Sequence, residues 1–298
     1  MPNVSEGRDP AIIAEIADAI TNTGCRLLDI HSDSDHHRSV FTMIGDEQEI
    51  VNGAVALSER ATALIDLARH HGVHPRIGAV DVIPFVPLAA TPMSACVTAA
   101  QQVGNILGSR IGVPVILYGA AARSTERAAL PWIRRGGLPS LAQKLMTDGP
   151  DFGPCLPHPT AGVVAVGARP FLVAFNVVLD TADVSLARAI ASDLREVNGG
   201  LLGVKALGLA LASRHLAQVS MNLTQVAPNY EDGSATNVLT AFREVARAAK
   251  RRGTHALESE IVGLIPRDAL GDASARDLLM RTDPREQVLE TRMARSCR

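Results

Sequence analysis

The chain has 298 residues, 47% of them hydrophobic, 20% charged and only 3% aromatic, with a formal net charge of -2. That composition suits a well-filled globular core built from Ala, Leu, Val and Ile, in one large or two smaller domains. The balanced charge, with no polybasic run, argues against a nucleic-acid partner or an anionic membrane surface.

In chain order, Ile12, Ile13, Ile16 and Ile20 share one face of a helix over residues 10–22, which Gly24 stops. Strands follow at residues 26–31 and 39–44, separated by a polar turn through Asp33 and Asp35. A long helix is expected over 47–70, then a strand near 78–86, a helix near 91–109 and a strand at 113–118. The second half repeats the rhythm: a strand over 171–179, a helix over 183–197, strands near 202–210 and 216–224, a helix over 235–251 and a last strand over 260–265. Both halves approximate strand-helix-strand-strand-helix-strand, the split βαβ of ferredoxin-like domains, with helices on one face of each sheet. A strand is missing before the first helix, so it is either very short or lies upstream of Met1. Residues 148–168, rich in Pro and Gly, read as an irregular crossing between the halves.

The four cysteines (Cys25, Cys96, Cys155 and Cys297) form no CxxC pair, as expected of reduced thiols in a cytoplasmic protein. The N-terminus has neither a basic nor an apolar leader region. The most apolar run, residues 163–179, is interrupted by Arg169, Pro170 and Asn176, so no membrane span is expected.

Three stretches could carry chemistry. In the first, His70-His71-Gly72-Val73-His74-Pro75-Arg76, Pro75 holds His74 extended, so its imidazole can leave the helix and move protons near neutral pH. Arg76 beside it can grip a carboxylate with two prongs. The competing reading is solvated His and Arg side chains at a helix C-terminus. The second, His31-Ser32-Asp33-Ser34-Asp35-His36-His37-Arg38, mixes imidazoles and carboxylates as a metal site would, but its spacing matches no standard signature, and a substrate-binding loop is preferred. The third, Gly199-Gly200-Leu201-Leu202-Gly203-Val204-Lys205-Ala206-Leu207-Gly208, either lets a flat ligand approach the backbone or is a turn entering a strand. Cys155 lacks any protease signature and reads as a small turn residue.

A series of strings then resembles the glutamate formiminotransferase family, the amino-terminal activity of formiminotransferase-cyclodeaminase. They are Pro2-Asn3-Val4-Ser5-Glu6-Gly7-Arg8, His70 through Asp81, Pro84-Phe85-Val86-Pro87, Val113 through Gly119, Asp151-Phe152-Gly153-Pro154, Gly167 through Asn176, Gln218 through Leu223 and Glu260 through Pro266. The resemblance runs over nearly the whole chain. It implies an α+β fold of two ferredoxin-like subdomains, residues 1–171 and 172–298, with a substrate tunnel between them.

It also implies a one-carbon transfer in which N5 of tetrahydrofolate takes the formimino group of N-formiminoglutamate. The histidine before Pro-Arg, here His74, would be the catalytic residue. Folate-contacting segments map to Gly153-Pro154-Cys155-Leu156-Pro157-His158-Pro159-Thr160-Ala161-Gly162 and to Gly199 through Gly208. Arg38 and Arg76 are candidates for the donor's carboxylates. Tetrahydrofolate is expected as co-substrate without a metal, and the protein as a homodimer. Since the chain ends at Arg298, ammonia release would fall to a separate cyclodeaminase. Open alternatives are formyl rather than formimino transfer, a folate-binding protein without turnover and, more remotely, a metal hydrolase.

Overall fold

The computed structural model describes residues 1–227 and 235–296, so Cys297 lies outside the described residues. The chain divides into two compact units, Met1–Pro170 and Phe171–Arg298.

In the first unit, β1 (Asn3–Val4), α1 (Pro10–Thr21), β2 (Arg26–Asp33), β3 (Arg38–Ile44), α2 (Glu47–Leu64) and β4 (Val80–Phe85) follow one another as βαββαβ. Their strands lie in the order β2-β3-β1-β4, antiparallel throughout, which is the split βαβ arrangement. The missing strand is therefore present and two residues long. It holds the centre of the sheet, with Asn3 facing Val40 on one side and Val82 on the other.

Helix α3 (Met93–Ile106) leads to β5 (Val115–Gly119), and α4 (Leu130–Arg134) and α5 (Gly137–Asp148) lead to β6 (Val164–Ala168). Strand β6 inserts between β4 and β5, parallel to both, and extends the sheet to six strands. The irregular reading of 148–168 is corrected here. All five residues of β6 are buried, so no alternation betrays the strand.

Local chemistry explains the helix ends. The Asp9 carboxylate accepts from the Ala11 amide at 2.9 Å, and Pro10 opens the first turn of α1. Asp46 and Glu49 form a capping box at the start of α2. That helix stops at Leu64 rather than near residue 70, because Ile65 turns extended and Asp66 caps a separate short turn, Leu67–Arg69. Helices α1, α2 and α3 cover one sheet face through a core that includes Ile16, Ile20, Phe41, Met43, Val115 and Leu117. The other face was expected to be free of helices. Instead Ile133 of α4 and Leu141 and Leu145 of α5 pack with Val82, Ile116 and Ala165 there.

The second unit repeats the motif with β7 (Val173–Leu179), α6 (Val184–Leu194), β8 (Val204–Leu211), β9 (Leu216–Leu223), α7 (Val238–Arg251) and β10 (Ala256–Val262). The order β10-β7-β9-β8 is again antiparallel throughout. Strand β10 starts well before residue 260, because Glu258 and Glu260 alternate with buried Ser259 and Ile261 and mask its apolar side. A Cβ on Gly208 would lie 2.3 Å from the Arg188 amide nitrogen, so this glycine lets α6 sit against the strand. On the opposite face the register lines up Glu260, Asn176, Ser220 and Leu207 across all four strands, with Asn176 donating to Glu260 at 2.8 Å. Short helices at Arg267–Leu270, Ala275–Leu278 and Leu289–Arg295 complete the unit. Among the described residues, no helix is long and apolar enough to cross a membrane.

Candidate functional site

The N-terminal string ties together the loops that carry the candidate residues. Ser5 Oγ donates to the Gly78 carbonyl at 2.7 Å and the Ser5 amide to the Ala79 carbonyl at 2.7 Å. Glu6 Oε1 accepts from the amides of Gly7, Arg8 and Asp9 and lies 3.0 Å from His37 Nε2. His37, at φ +49°, packs against His70 with ring centroids 3.7 Å apart and planes tilted by 53°, and His70 Nε2 donates to the His37 carbonyl at 3.1 Å. These histidines therefore knit the β2–β3 turn to the loop before β4. Among the described residues, no group of three or more His, Cys, Asp or Glu side chains is placed to hold a metal.

Arg76 completes this clamp. Its guanidinium donates to the carbonyls of His36 at 2.8 Å, His37 at 3.2 Å and His74 at 3.2 and 3.3 Å. Gly72 makes room for it, since a Cβ there would lie 2.3 Å from Arg76 Nη2. With four donor contacts spent on backbone, Arg76 is a brace between two loops and not the free two-pronged clamp expected of it.

Arg38 differs. Its residue alternates with Phe41 and Met43 along β3, so it lies on the sheet face turned away from α1–α3. Among the described residues, its one side-chain hydrogen bond goes from Nη1 to His74 Nε2, at 2.9 Å. A guanidinium has no acceptor, so His74 Nε2 must be the unprotonated nitrogen and Nδ1 carries the proton of a neutral ring. Burial, and then the charges of Arg38, Arg134, His36 and Arg76, hold the His74 pKa well below its usual 6.5. Burial and Arg134 push the Arg38 pKa down to about 10.

Four buried side-chain atoms lack a hydrogen-bond partner among the described residues: Thr42 Oγ1, His74 Nδ1, Tyr118 OH and Arg134 Nε. Native proteins leave few such groups, so these four single out candidate positions for polar contact with a ligand or solvent. Thr42 is four residues along β3 from Arg38 on the same face, and Tyr118 belongs to the cluster under α4 and α5 on that face. Arg134 reaches in from α4 and is ion-paired to Asp81, which also accepts from the Ile77 amide at 2.8 Å. Arg169 approaches the Tyr118 hydroxyl without meeting hydrogen-bond geometry, and burial pushes that phenol's pKa up.

Sequence reasoning singled out His74 and Arg38 and missed Thr42, Tyr118 and Arg134. Arg134 meets Asp81 across 53 residues, which no local spacing reveals. Tyr118 left one signal, a hydroxyl in an otherwise apolar strand.

The segment Gly153–Gly162 runs beside the His74 loop. Its Ala161 carbonyl accepts from the Ala79 amide, and just past the segment the Val163 amide donates to the Ile77 carbonyl, each at 2.9 Å. Gly153 to Leu156 are exposed, whereas His158 Nδ1 accepts from the Ala161 amide at 3.0 Å and serves its own turn. The segment Gly199–Gly208 belongs to the second unit. Gly199 and Gly203 take positive φ in the turn after α6, and Val204 onward is β8 itself, with Lys205 and Leu207 exposed on the face that carries Ser220 and Asn222.

The titration shifts predict acid lability. Burial and Arg76 lower the His70 pKa to about 4, so between pH 6.5 and 4 the unfolded chain binds a proton that the folded chain refuses, and stability falls as pH falls. His74 has the same sign over a window opening at 6.5. Burial raises the Glu6 pKa, but the amides of Asp9 and Arg8 and the His37 ring bring it below 4.5, so its contribution is lost as pH drops through that range. Calorimetry should record a melting temperature that declines steadily from pH 7 to pH 4. A flat profile between pH 7 and 5 would contradict these assignments.

Residues 1–169 match the family described as "Formiminotransferase domain, N-terminal subdomain", and residues 174–293 match "Formiminotransferase domain". The chain is 41% identical over 297 residues to the glutamate formimidoyltransferase of Streptococcus pyogenes serotype M1, covering 98% of this chain and 97% of that protein. It is 39% identical over 301 residues to the glutamate formimidoyltransferase of Thermoplasma acidophilum, covering 99% and 97%. Against the formimidoyltransferase-cyclodeaminase of Sus scrofa it is 42% identical over 285 residues, covering 92% of this chain and 51% of that protein, so it spans about half the length of that relative. On both halves of the fold, the chain belongs to the formiminotransferase family.

Proposed function

We propose that this protein transfers the formimino group of N-formimino-L-glutamate to N5 of tetrahydrofolate, giving 5-formiminotetrahydrofolate and L-glutamate, with His74 as the proton carrier. The near end-to-end likeness to two glutamate formimidoyltransferases supports the reaction. The observation that carries the site assignment is a neutral imidazole ringed by arginines on a sheet face where buried donors stand without partners.

N5 attacks the formimino carbon, and a carbon–nitrogen bond forms as the C=N π bond opens. His74 Nε2 takes the proton from N5. The tetrahedral intermediate then collapses: the C=N π bond re-forms, the bond to the glutamate nitrogen breaks, and His74 returns the proton to that nitrogen. One proton is carried and none is consumed. A histidine held neutral at pH 7 is in the form that accepts it. Arg38 is the carboxylate ligand in this reading, since Arg76 is committed to backbone carbonyls. Folate contacts are assigned to Gly153–Gly162 in the first unit and to Gly199–Gly208 in the second, and no step calls on a metal. A cytoplasmic homodimer that passes its product to a cyclodeaminase activity fits the same reading.

A donor panel tests it. With tetrahydrofolate present, N-formimino-L-glutamate should yield the absorbance of the 5-formimino product, while N-formylglutamate yields none. Equal or faster turnover of the formyl donor would overturn the substrate assignment.

A further inference from the structure

His74 cannot accept a proton as it stands, because the Nε2 lone pair is engaged by Arg38 at 2.9 Å. Arg38, in turn, spends a five-donor guanidinium on that single side-chain hydrogen bond among the described residues. Neither nearby carboxylate relieves it. Asp81 is committed to Arg134 and to the Ile77 amide, and Asp33 is its cross-strand neighbour without a hydrogen bond to it. The buried Nδ1 of His74 and Nε of Arg134 are also without partners. A carboxylate entering beside Arg38 would meet a guanidinium with most of its donors unspent. It would hold Arg38 more strongly than a neutral nitrogen does, since it adds an opposite charge and a second, parallel N–H···O contact.

We propose that Arg38 guards the base and is displaced by substrate: a carboxylate of the amino-acid donor takes its guanidinium into a two-pronged contact, drawing it off His74 Nε2 and freeing that lone pair for the N5 proton. This rests on the preceding reading of the donor as a glutamate derivative. The base is then uncovered only when the donor is seated, and tetrahydrofolate alone leaves it covered.

The groups facing the imidazole are Arg38 from β3, Arg134 from α4, His36 from the β2–β3 turn with ring centroids 6.0 Å away, and Arg76 from its own loop. Asp33 and Asp81 face it only through Arg38 and Arg134. A bound carboxylate offsets charge on the two arginines that press hardest on the ring, so His74 becomes a stronger base in the complex than in the free protein.

The test uses the whole chain labelled with ¹⁵N-histidine, with His74 assigned by its absence from a His74→Gln spectrum. L-Glutamate, which carries both carboxylates of the donor, should shift the His74 Nε2 resonance and raise the ring's pKa by about one unit or more. Tetrahydrofolate alone should leave the resonance in place. In Arg38→Gln the ring should start at the uncovered position and ignore glutamate. The wild-type readout decides the matter even if that variant folds poorly. If calorimetry shows glutamate binding while His74 stays unmoved, the guard is overturned and the donor assignment stands. If glutamate fails to bind with or without tetrahydrofolate, the donor assignment falls and the guard with it.

Discussion

His74→Ala should lower kcat by about 10²- to 10⁴-fold and leave tetrahydrofolate affinity almost unchanged. The loss corresponds to about 3–5 kcal/mol of transition-state stabilisation. It falls on kcat because the imidazole handles the proton that leaves N5, a contact that strengthens only as the new bond forms. The pterin keeps its contacts. Removing the ring also frees Arg38 from its one side-chain hydrogen bond, which favours rather than hinders carboxylate binding. Steady-state kinetics with calorimetric titration of tetrahydrofolate separate the two effects. A variant that lost folate binding in proportion to activity would recast His74 as a binding residue.

Asp81→Ala should cost about 3 kcal/mol of stability, the lower end of the range for breaking a buried ion pair. Asp81 is only 1% exposed, while the Arg134 side chain keeps 20% exposure, which softens the penalty for the orphaned guanidinium. The Ile77 amide loses its acceptor as well, so the backbone just after Arg76 is released. Activity should fall with stability, because that backbone fixes where His74 stands. Asp81→Asn keeps the amide's acceptor and removes only the charge, so it should be milder on both counts. Thermal denaturation of the two variants checks this, and equal, small shifts would show that Arg134 needs no counter-charge.

Much of the fold was legible because its elements are regular. The isoleucine stripe of α1 carries its own period, and the second unit repeats the order of elements of the first. What escaped had no period to show. Strand β1 has two residues, and β6 is buried on both faces inside a stretch whose prolines and glycines belong to the preceding loop. Helices α4 and α5 drew no expectation, and with them went the cover on the second sheet face and Arg134.

The site divides the same way. His74 was marked by its Pro-Arg context, and Arg38 by its place in the polar loop read as substrate-binding. The division of labour between Arg38 and Arg76 was not readable, because it depends on which carbonyls happen to lie within reach of each guanidinium in the folded loops. Within the second glycine segment, the close approach of α6 to Gly208 was not readable, because it depends on a helix that precedes the segment in the chain.

The claim beneath all of this is that one imidazole carries the proton between N5 and the departing nitrogen. Chemical rescue tests it most directly. Free imidazole, and a series of substituted imidazoles of graded basicity, added to His74→Ala should restore turnover in proportion to concentration, with rates that track the pKa of the added base. A variant that no added base rescues, or that needs no rescue, would contradict the account.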